Sequence, residues 1–376
     1  MKYDYLIVGT GFAGTVVAER IASRLDKKVL VIDRRNHIGG NCFDYLDDNG
    51  IIVHKYGPHI FHTNSKKVWD YISGFTNWNI YFHNVLAVVE GKKIPLPFNL
   101  NSLYNIFPKK FAENLEKLMI DKFGYGVKIP ILKMLETSDN DLKFLAEFIY
   151  KNVFLGYTIK QWGLKPEELD FSVSSRVPVF ISRDDRYFQD TYQGIPSEGY
   201  TSIFEKMLNH PNIELRLNCG FNDIKSSKEA DKIIYTGMID EYFDNIFGEL
   251  PYRSLNFEFK SFSLRQYQET AQVNYPNNYD FTRTTEFKHF LPSKSESTTV
   301  AFEFPQQFVR GLNEPYYPIP SPENELIVRQ YQAQAEKIAN NVQFIGRLAE
   351  YKYYNMDQIV GVALSFFENK IVKKLF

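Results

Sequence analysis

At 376 residues the chain is too long for one ordinary hydrophobic core, and 44% apolar against 24% charged residues is the balance of a globular protein with two or three domains. A net charge of −1 leaves no overall basic field to draw in nucleic acid or anionic lipid, so an anionic ligand would need locally placed arginines. Cys42 and Cys219 are too few for a disulfide scaffold or a cysteine-rich zinc site and suit a reducing cytosol, and no apolar run approaches the ~18 residues of a membrane span. In chain order, Tyr3 to Val8 is an apolar run of strand length that ends in glycine, too short for a signal peptide. FAGTVVAERIASRL then spaces its apolar residues as a helix does, and Lys28 to Asp33 is a second strand of buried parallel type, which completes a βαβ unit. SKKVWDYISGF reads as a helix and NVLAVVEGKKIPLPF as a hairpin with Gly91, Lys92 and Lys93 at its turn. Helical patterns dominate from Leu103 to about Trp162, with Pro108 placed for a first helical turn. Residues 171–192 are loop-rich, YTSIFEKMLNH is a helix, and IELRLN and DKIIYTG read as strands returning to the first sheet. From Tyr252 to about Phe304 β-rich segments follow one another, and from Val342 the chain reads strand, glycine loop, helix. The expected fold is therefore a discontinuous α/β domain with one helical and one β-rich insertion.

Gly9-Thr10-Gly11-Phe12-Ala13-Gly14 follows a strand, opens a helix, and has an acid, Asp33, at the end of the next strand. In that setting Gly9 permits the tight turn, Gly11 lets backbone approach a pyrophosphate, Gly14 packs helix on strand, and Asp33 accepts hydrogen bonds from an adenosine ribose. DRRNHIGGN adds a basic residue and the Gly39-Gly40 pair directly after the acid, like the second phosphate loop of two-dinucleotide flavoproteins. FIGRLAEYKYYNMDQIV resembles their return segment, where a glycine loop and a helix N-terminus approach the ribityl chain and ring. Together they point to FAD rather than NAD.

Three of seven histidines, His54, His59 and His62, fall in VHKYGPHIFHT. A zinc site would want HExxH on a helix or a cysteine partner, and Pro58 breaks any helix through the cluster, so no metal is expected. A Gly-Pro loop just after the phosphate loops should lie beside the isoalloxazine, with His59 and His62 as its contacts. Arg176, Arg253, Arg283 and Arg347 fall in loop or β-rich segments, Arg253 and Arg283 directly beside Tyr or Thr, and none on a charged helix face. With Tyr157, Tyr187, Tyr192, Tyr316, Tyr317 and Tyr353 they would suit the diphosphate and rings of a nucleotide-sugar. Aromatic residues are 16% of the chain, with 25 Tyr and 32 Phe.

With these segments assembled, the chain resembles the UDP-galactopyranose mutases, most nearly their bacterial branch. The matching segments are DYLIVGTGFAG, VLVIDRRNHIGGN, HKYGPHIFHT, GYTIKQWG, YQGIPSEGYTSIFEKML, IIYTGMIDEYFD, YRSL, EPYYP and GRLAEYKYYNMDQ, in the family's order from residue 3 to about 360. The resemblance implies an FAD-binding Rossmann-like α/β domain (1–80, 193–245 and 340–376), a helical-bundle domain (100–170) and an antiparallel β-sheet domain (81–99, 171–192 and 246–339). It implies interconversion of UDP-galactopyranose and UDP-galactofuranose, with N5 of reduced FAD as nucleophile at the anomeric carbon and NAD(P)H or another reductant as activator. It implies that Asn84, Tyr157, Thr158, Trp162, Arg176, Tyr187, Arg283, Tyr317 and Tyr353 bind substrate, with Arg176 on a segment that closes over it. Arg176, Arg283 and His59 are the implied catalytic set. The implied cofactor set is Gly9, Gly11, Phe12, Gly14, Asp33, Arg34, Gly39, Gly40, Asn41, His59, Ile60, Arg253, Gly346, Arg347, Tyr353, Asn355 and Met356. A homodimer in the cytoplasm that serves cell-surface polysaccharide synthesis is implied as well. Asn355 stands where the family usually has Asp; it keeps an acceptor for helix capping but loses a charge near a diphosphate site. No nucleophilic Ser or Cys motif and no glycosidase-type carboxylate pair is evident, which fits chemistry carried by a cofactor. The alternatives are an FAD-dependent amine oxidase or desaturase, which shares the glycine motifs, and a non-catalytic flavin- or UDP-binding module.

Overall fold

In the computed structural model, which describes residues 2–169 and 177–374, the glycine motif joins the strand Tyr3–Val8 to the helix Phe12–Leu25. These strands form a five-stranded parallel sheet in the order Ile213–Arg216, Val29–Ile32, Tyr3–Val8, Ala230–Tyr235, Val342–Phe344. Val29–Ile32 is buried at all four positions, as a parallel strand covered on both faces must be. Side chains alternate between faces. Ile7, Val29 and Val31 enter a core with Val16, Ile21, Phe204 and Val360, whereas Leu6, Leu30 and Ile32 pack with Phe221 and Tyr235. The first face is closed by the helices Phe12–Leu25, Lys66–Ser73, Tyr200–Leu208 and Met356–Phe366.

A second sheet has seven strands, in the order Tyr317–Pro318, Tyr252–Phe262, Thr298–Gln307, Arg283–Glu286, Gln272–Asn274, Val85–Val89, Lys92–Leu96. It is antiparallel throughout except where Gln272–Asn274 runs parallel to Val85–Val89. The hairpin turn is Glu90-Gly91, both at positive φ (48° and 77°), and Lys92 and Lys93 belong to the returning strand rather than to the turn. Glu286 anchors this sheet from inside. Its carboxylate accepts from the backbone N–H groups of Tyr267 and Gln268, from Thr298 Oγ1 and from His289.

The helices Leu100–Ile106, Lys109–Phe123 and Asn140–Ile149 share one apolar cluster with the hairpin. Pro108 is the N-cap of its helix, one position before the first turn. The last of these helices continues through π-helical turns, Tyr150–Leu155, into Gly156–Trp162. The sequence reading passes over one long helix, Pro322–Lys337. It lies inside the 246–339 segment expected to be sheet.

Candidate active site

Beyond the carboxyl ends of the parallel strands lies a cavity of about 460 Å³. Gly9 sits at φ +105°, and a Cβ there would collide with Thr236 Oγ1; a Cβ on Gly40, at φ +57°, would stand 3.0 Å from the Gly11 Cα. The two glycine turns thus meet backbone to backbone, which only glycine allows. Asp33 joins them: its Oδ2 accepts from Thr10 N–H (2.9 Å) and Thr10 Oγ1 (2.6 Å), and its Oδ1 from Arg35 N–H (3.0 Å). Among the expected cofactor residues Gly9, Gly11, Phe12, Asp33, Arg34, Gly39, Gly40, Asn41, His59, Gly346, Arg347, Asn355 and Met356 line this cavity. Gly14 instead packs the helix on the Gly9 carbonyl and Ile7, and Asn355 is the N-cap of Met356–Phe366, its N–H held by Gln358 Oε1 at 2.9 Å.

Three expected cofactor residues are placed differently. Ile60 is buried with Val53, Ile195 and Phe287. Arg253 donates to the Gln161 and Lys160 carbonyls (2.9 and 3.0 Å), where it closes the C-terminus of Gly156–Trp162, a position that favours a cation. Tyr353 stacks on Tyr317. The sequence reading also missed cavity residues, above all Arg35. Its Nη2 donates to Asn41 Oδ1 (3.0 Å) and Glu314 Oε2 (2.8 Å), while its Nη1 is buried with no partner. The guanidinium also lies over the Tyr56 ring, 4.8 Å from its centre. The two backbone-to-backbone glycine turns, which a Cβ would fill, fit the pyrophosphate of the expected FAD, and Arg35 lines the cavity beside them. Thr236, Gly237 and Cys219 to Asp223 line the cavity too; the glycine that ends DKIIYTG was the available signal.

The three histidines have three different settings. His54 is buried against Phe290, and its Nδ1 accepts the His59 backbone N–H at 3.0 Å. His59 lines the cavity; its Nδ1 lies 2.7 Å from the Gly57 carbonyl, so Nδ1 carries the proton and Nε2 is left as an acceptor. Burial, followed by the neighbouring His54, pushes the His59 pKa down to about 3, so its ring is neutral. His62, expected beside the flavin, lies instead over Phe188 (3.6 Å between centroids) with Nδ1 2.9 Å from Asp190 Oδ2. The strand Phe61–Thr63 explains this, because successive side chains point to opposite faces. Cys42 also lines the cavity, but burial pushes its thiol up to about 12, which leaves no thiolate to act as a nucleophile.

Several of the expected substrate residues, Trp162, Tyr317 and Tyr353 among them, gather beside this cavity. Arg283 Nε donates to the buried Glu303 carboxylate at 2.6 Å. Burial works against the Arg283 charge, but Glu303 and the Tyr157 and Tyr317 hydroxyls more than offset it, and its pKa lies above the ordinary arginine value. Trp162, Tyr317 and Tyr353 form one aromatic group with centroids 5.2 to 5.8 Å apart. Arg347 lies over both tyrosines, 5.3 and 5.1 Å from the ring centres, and donates to the Tyr316 and Tyr354 carbonyls. Tyr157, Thr158 and Trp162 come from one short helix, and Tyr187 packs edge-on to Phe188 with its N–H on the His83 carbonyl. Asn84 is exposed and pairs with Arg186 in an isolated β-bridge. Arg176 lies outside the described residues.

Residues 152–353 match the family model described as UDP-galactopyranose mutase, and residues 7–75 match an NAD(P)-binding Rossmann-like domain. The UDP-galactopyranose mutase of Mycoplasma pneumoniae is 35% identical, over 97% of this chain and 95% of its own. The dTDP-fucopyranose mutase of Escherichia coli is 36% identical, over 96% of each chain. A crystal structure of reduced UDP-galactopyranose mutase superposes with a TM-score of 0.75 at 16% identity, covering 99% of this chain and 95% of that one. Putrescine oxidase bound to putrescine reaches only 0.55 at 11% identity, covering 99% of each chain, so it shares the fold. The cradle, the arginine–tyrosine set beside it and these full-length relatives agree: the chain belongs to the UDP-galactopyranose mutase family.

Proposed function

We propose that the protein interconverts UDP-galactopyranose and UDP-galactofuranose, with FAD in the glycine cradle and the nucleotide-sugar against Tyr157, Arg283 and the Trp162–Tyr317–Tyr353 group. The observation that carries this reading is Arg347. It lines the cofactor cavity and covers the two tyrosines, so a sugar held there would lie against the cofactor. Reduced FAD, when bound, supplies the nucleophilic N5 for the anomeric carbon, and NAD(P)H or another reductant would keep it reduced.

The chain's own residues supply position and charge. Arg283, oriented by Glu303, holds the diphosphate and stabilises the negative charge that grows as UDP departs. Arg176, from the segment expected to close, would take the other side. Tyr157 offers a ring for uracil, and Thr158 and Asn84 add polar contacts. Neutral His59 has Nε2 as an acceptor for the flavin or sugar. The three-part division of the chain, a cytoplasmic location, a homodimer and a role in galactofuranose supply to surface polysaccharides belong to the same proposal. Among the described residues no helix is long and apolar enough to cross a membrane.

The test is to incubate dithionite-reduced protein with UDP-galactofuranose and, separately, with dTDP-fucofuranose, and to chromatograph the products. Accumulation of UDP-galactopyranose, absent with oxidised protein, is the expected result. Conversion of the dTDP-sugar alone would move the protein to the other nucleotide. Oxygen consumption on an amine with neither sugar converted would return it to the oxidases.

A further inference from the structure

The nucleotide-sugar reading assigns Tyr157 and Trp162 to one element and Arg283 to another; Arg253 ties the end of that helix to the sheet, but nothing named so far ties it to the loop just before Arg283. The first two lie on Gly156–Trp162; the third begins the strand Arg283–Glu286, just after the loop that leads out of Gln272–Asn274. That loop is closed at its base by Tyr275 N–H on the Thr282 carbonyl at 2.8 Å.

Three contacts dock the helix, and the π-helical turns that lead into it, on this loop. Gly156 abuts it so closely that a Cβ there would stand 2.5 Å from the Pro276 carbonyl and 2.6 Å from Asn277 Oδ1. Asn277 Nδ2 donates to the Asn152 carbonyl at 2.9 Å. Lys160 reaches across from the middle of the helix. Its ammonium donates to the Tyr275 carbonyl and, at 3.1 Å each, to those of Tyr279 and Phe281. An ammonium has three N–H donors and no acceptor, so all its bonding capacity goes to this loop. Bonds from a charged donor in a half-buried setting are among the stronger ones.

We propose that Lys160 is a positioning residue that sets the width of the nucleotide-sugar cleft, by locking the helix of Tyr157 and Trp162 onto the loop before Arg283. The inference rests on the substrate reading above. Lys160 itself touches no reacting atom. Its loss lets helix and loop separate, and the bound nucleotide then meets Tyr157 or Arg283 but not both at once.

The test uses the full-length flavoprotein and UDP-galactofuranose. Lys160→Met should raise KM, and the Kd for UDP on oxidised enzyme, about tenfold, with kcat within about twofold and the flavin spectrum unchanged; tenfold corresponds to about 1.4 kcal/mol of lost alignment. Lys160→Arg, which keeps the charge and several donors, should recover most of the affinity. A fall in kcat at constant KM, or no change in either, overturns the proposal. If Lys160→Met does not fold, Gly156→Ala decides: it wedges the same junction apart without touching the lysine, and an unchanged KM overturns the proposal. Wild-type enzyme that neither binds UDP nor converts the sugar would instead refute the substrate reading, so the two failures are distinct.

Discussion

Arg283 is a guanidinium whose direction is fixed before any ligand arrives, because one of its N–H groups is already committed to buried Glu303. Arg283→Ala should therefore lower turnover by two or more orders of magnitude with FAD retained, a loss of about 3 kcal/mol of diphosphate stabilisation. Glu303→Gln keeps the shape and removes the charge. It should cost about tenfold in kcat/KM, since the charged guanidinium then bonds a neutral amide oxygen in place of a carboxylate. Steady-state kinetics beside the flavin absorbance of each purified variant checks both, and wild-type turnover in Arg283→Ala would mean the clamp lies elsewhere. His59→Ala should perturb the bound-flavin spectrum and impair turnover while chelators leave the wild type untouched. Zinc needed for activity would overturn that assignment. At this scale the sequence was legible where a residue's role follows from backbone geometry, as for Gly9, Gly40 and Asp33. It was not legible where the role depends on which neighbours have used up a side chain's donors. Arg34 and Arg35 are adjacent and chemically equal, yet Arg34 is half exposed on Glu314 while Arg35 is drawn in against Glu314, Asn41 and the Tyr56 ring.

Elements show a similar division. The βαβ start and the hairpin were readable from periodicity and turn glycines, because their partners are close in the chain. The helix Pro322–Lys337 was not, because PENELIVRQYQAQAEK buries only Val328 and Tyr331 and so has almost no apolar stripe. Its start was nevertheless encoded: Ser321 Oγ accepts the Asn324 N–H, Pro322 opens the first turn, and Glu323 and Glu325 follow. Arg253 is the case where an element explains a residue. Its guanidinium closes the Gly156–Trp162 helix from the neighbouring sheet, so Arg253→Met should leave FAD affinity unchanged and lower stability by about 1.5–3 kcal/mol. Flavin titration with urea unfolding separates this from a cofactor role, in which the flavin would be lost at unchanged stability.

Across the molecule as a whole, burial pushes the pKa of three histidines among the described residues, His54, His59 and His83, down to about 3. Each folded value lies below the ordinary one near 6.5, so the unfolded chain binds more protons in between. Their stabilising contribution is complete above about pH 6.5 and drains away toward pH 3, at up to about 1.4 kcal/mol per pH unit for each ring. Urea midpoints should fall steeply from pH 6.5 to 4, and His83→Phe should flatten the slope. An equal slope in that variant would show the ring to be solvated. The parallel sheet has a further consequence, for synthesis. Its strands come from residues 3–8, 29–32, 213–216, 230–235 and 342–344, and Gly346 to Met356 finish the cavity wall. On a ribosome the glycine loop at Gly9 to Gly14 emerges long before the fifth strand, Val342–Phe344, and waits for it; at roughly 5–20 residues per second that is tens of seconds. During that interval the edge of Ala230–Tyr235 stays unpaired and the flavin has only part of its enclosure. Flavin capture is therefore expected only after Met356 has emerged, and nascent chains stalled before residue 342 should be colourless where released ones turn yellow.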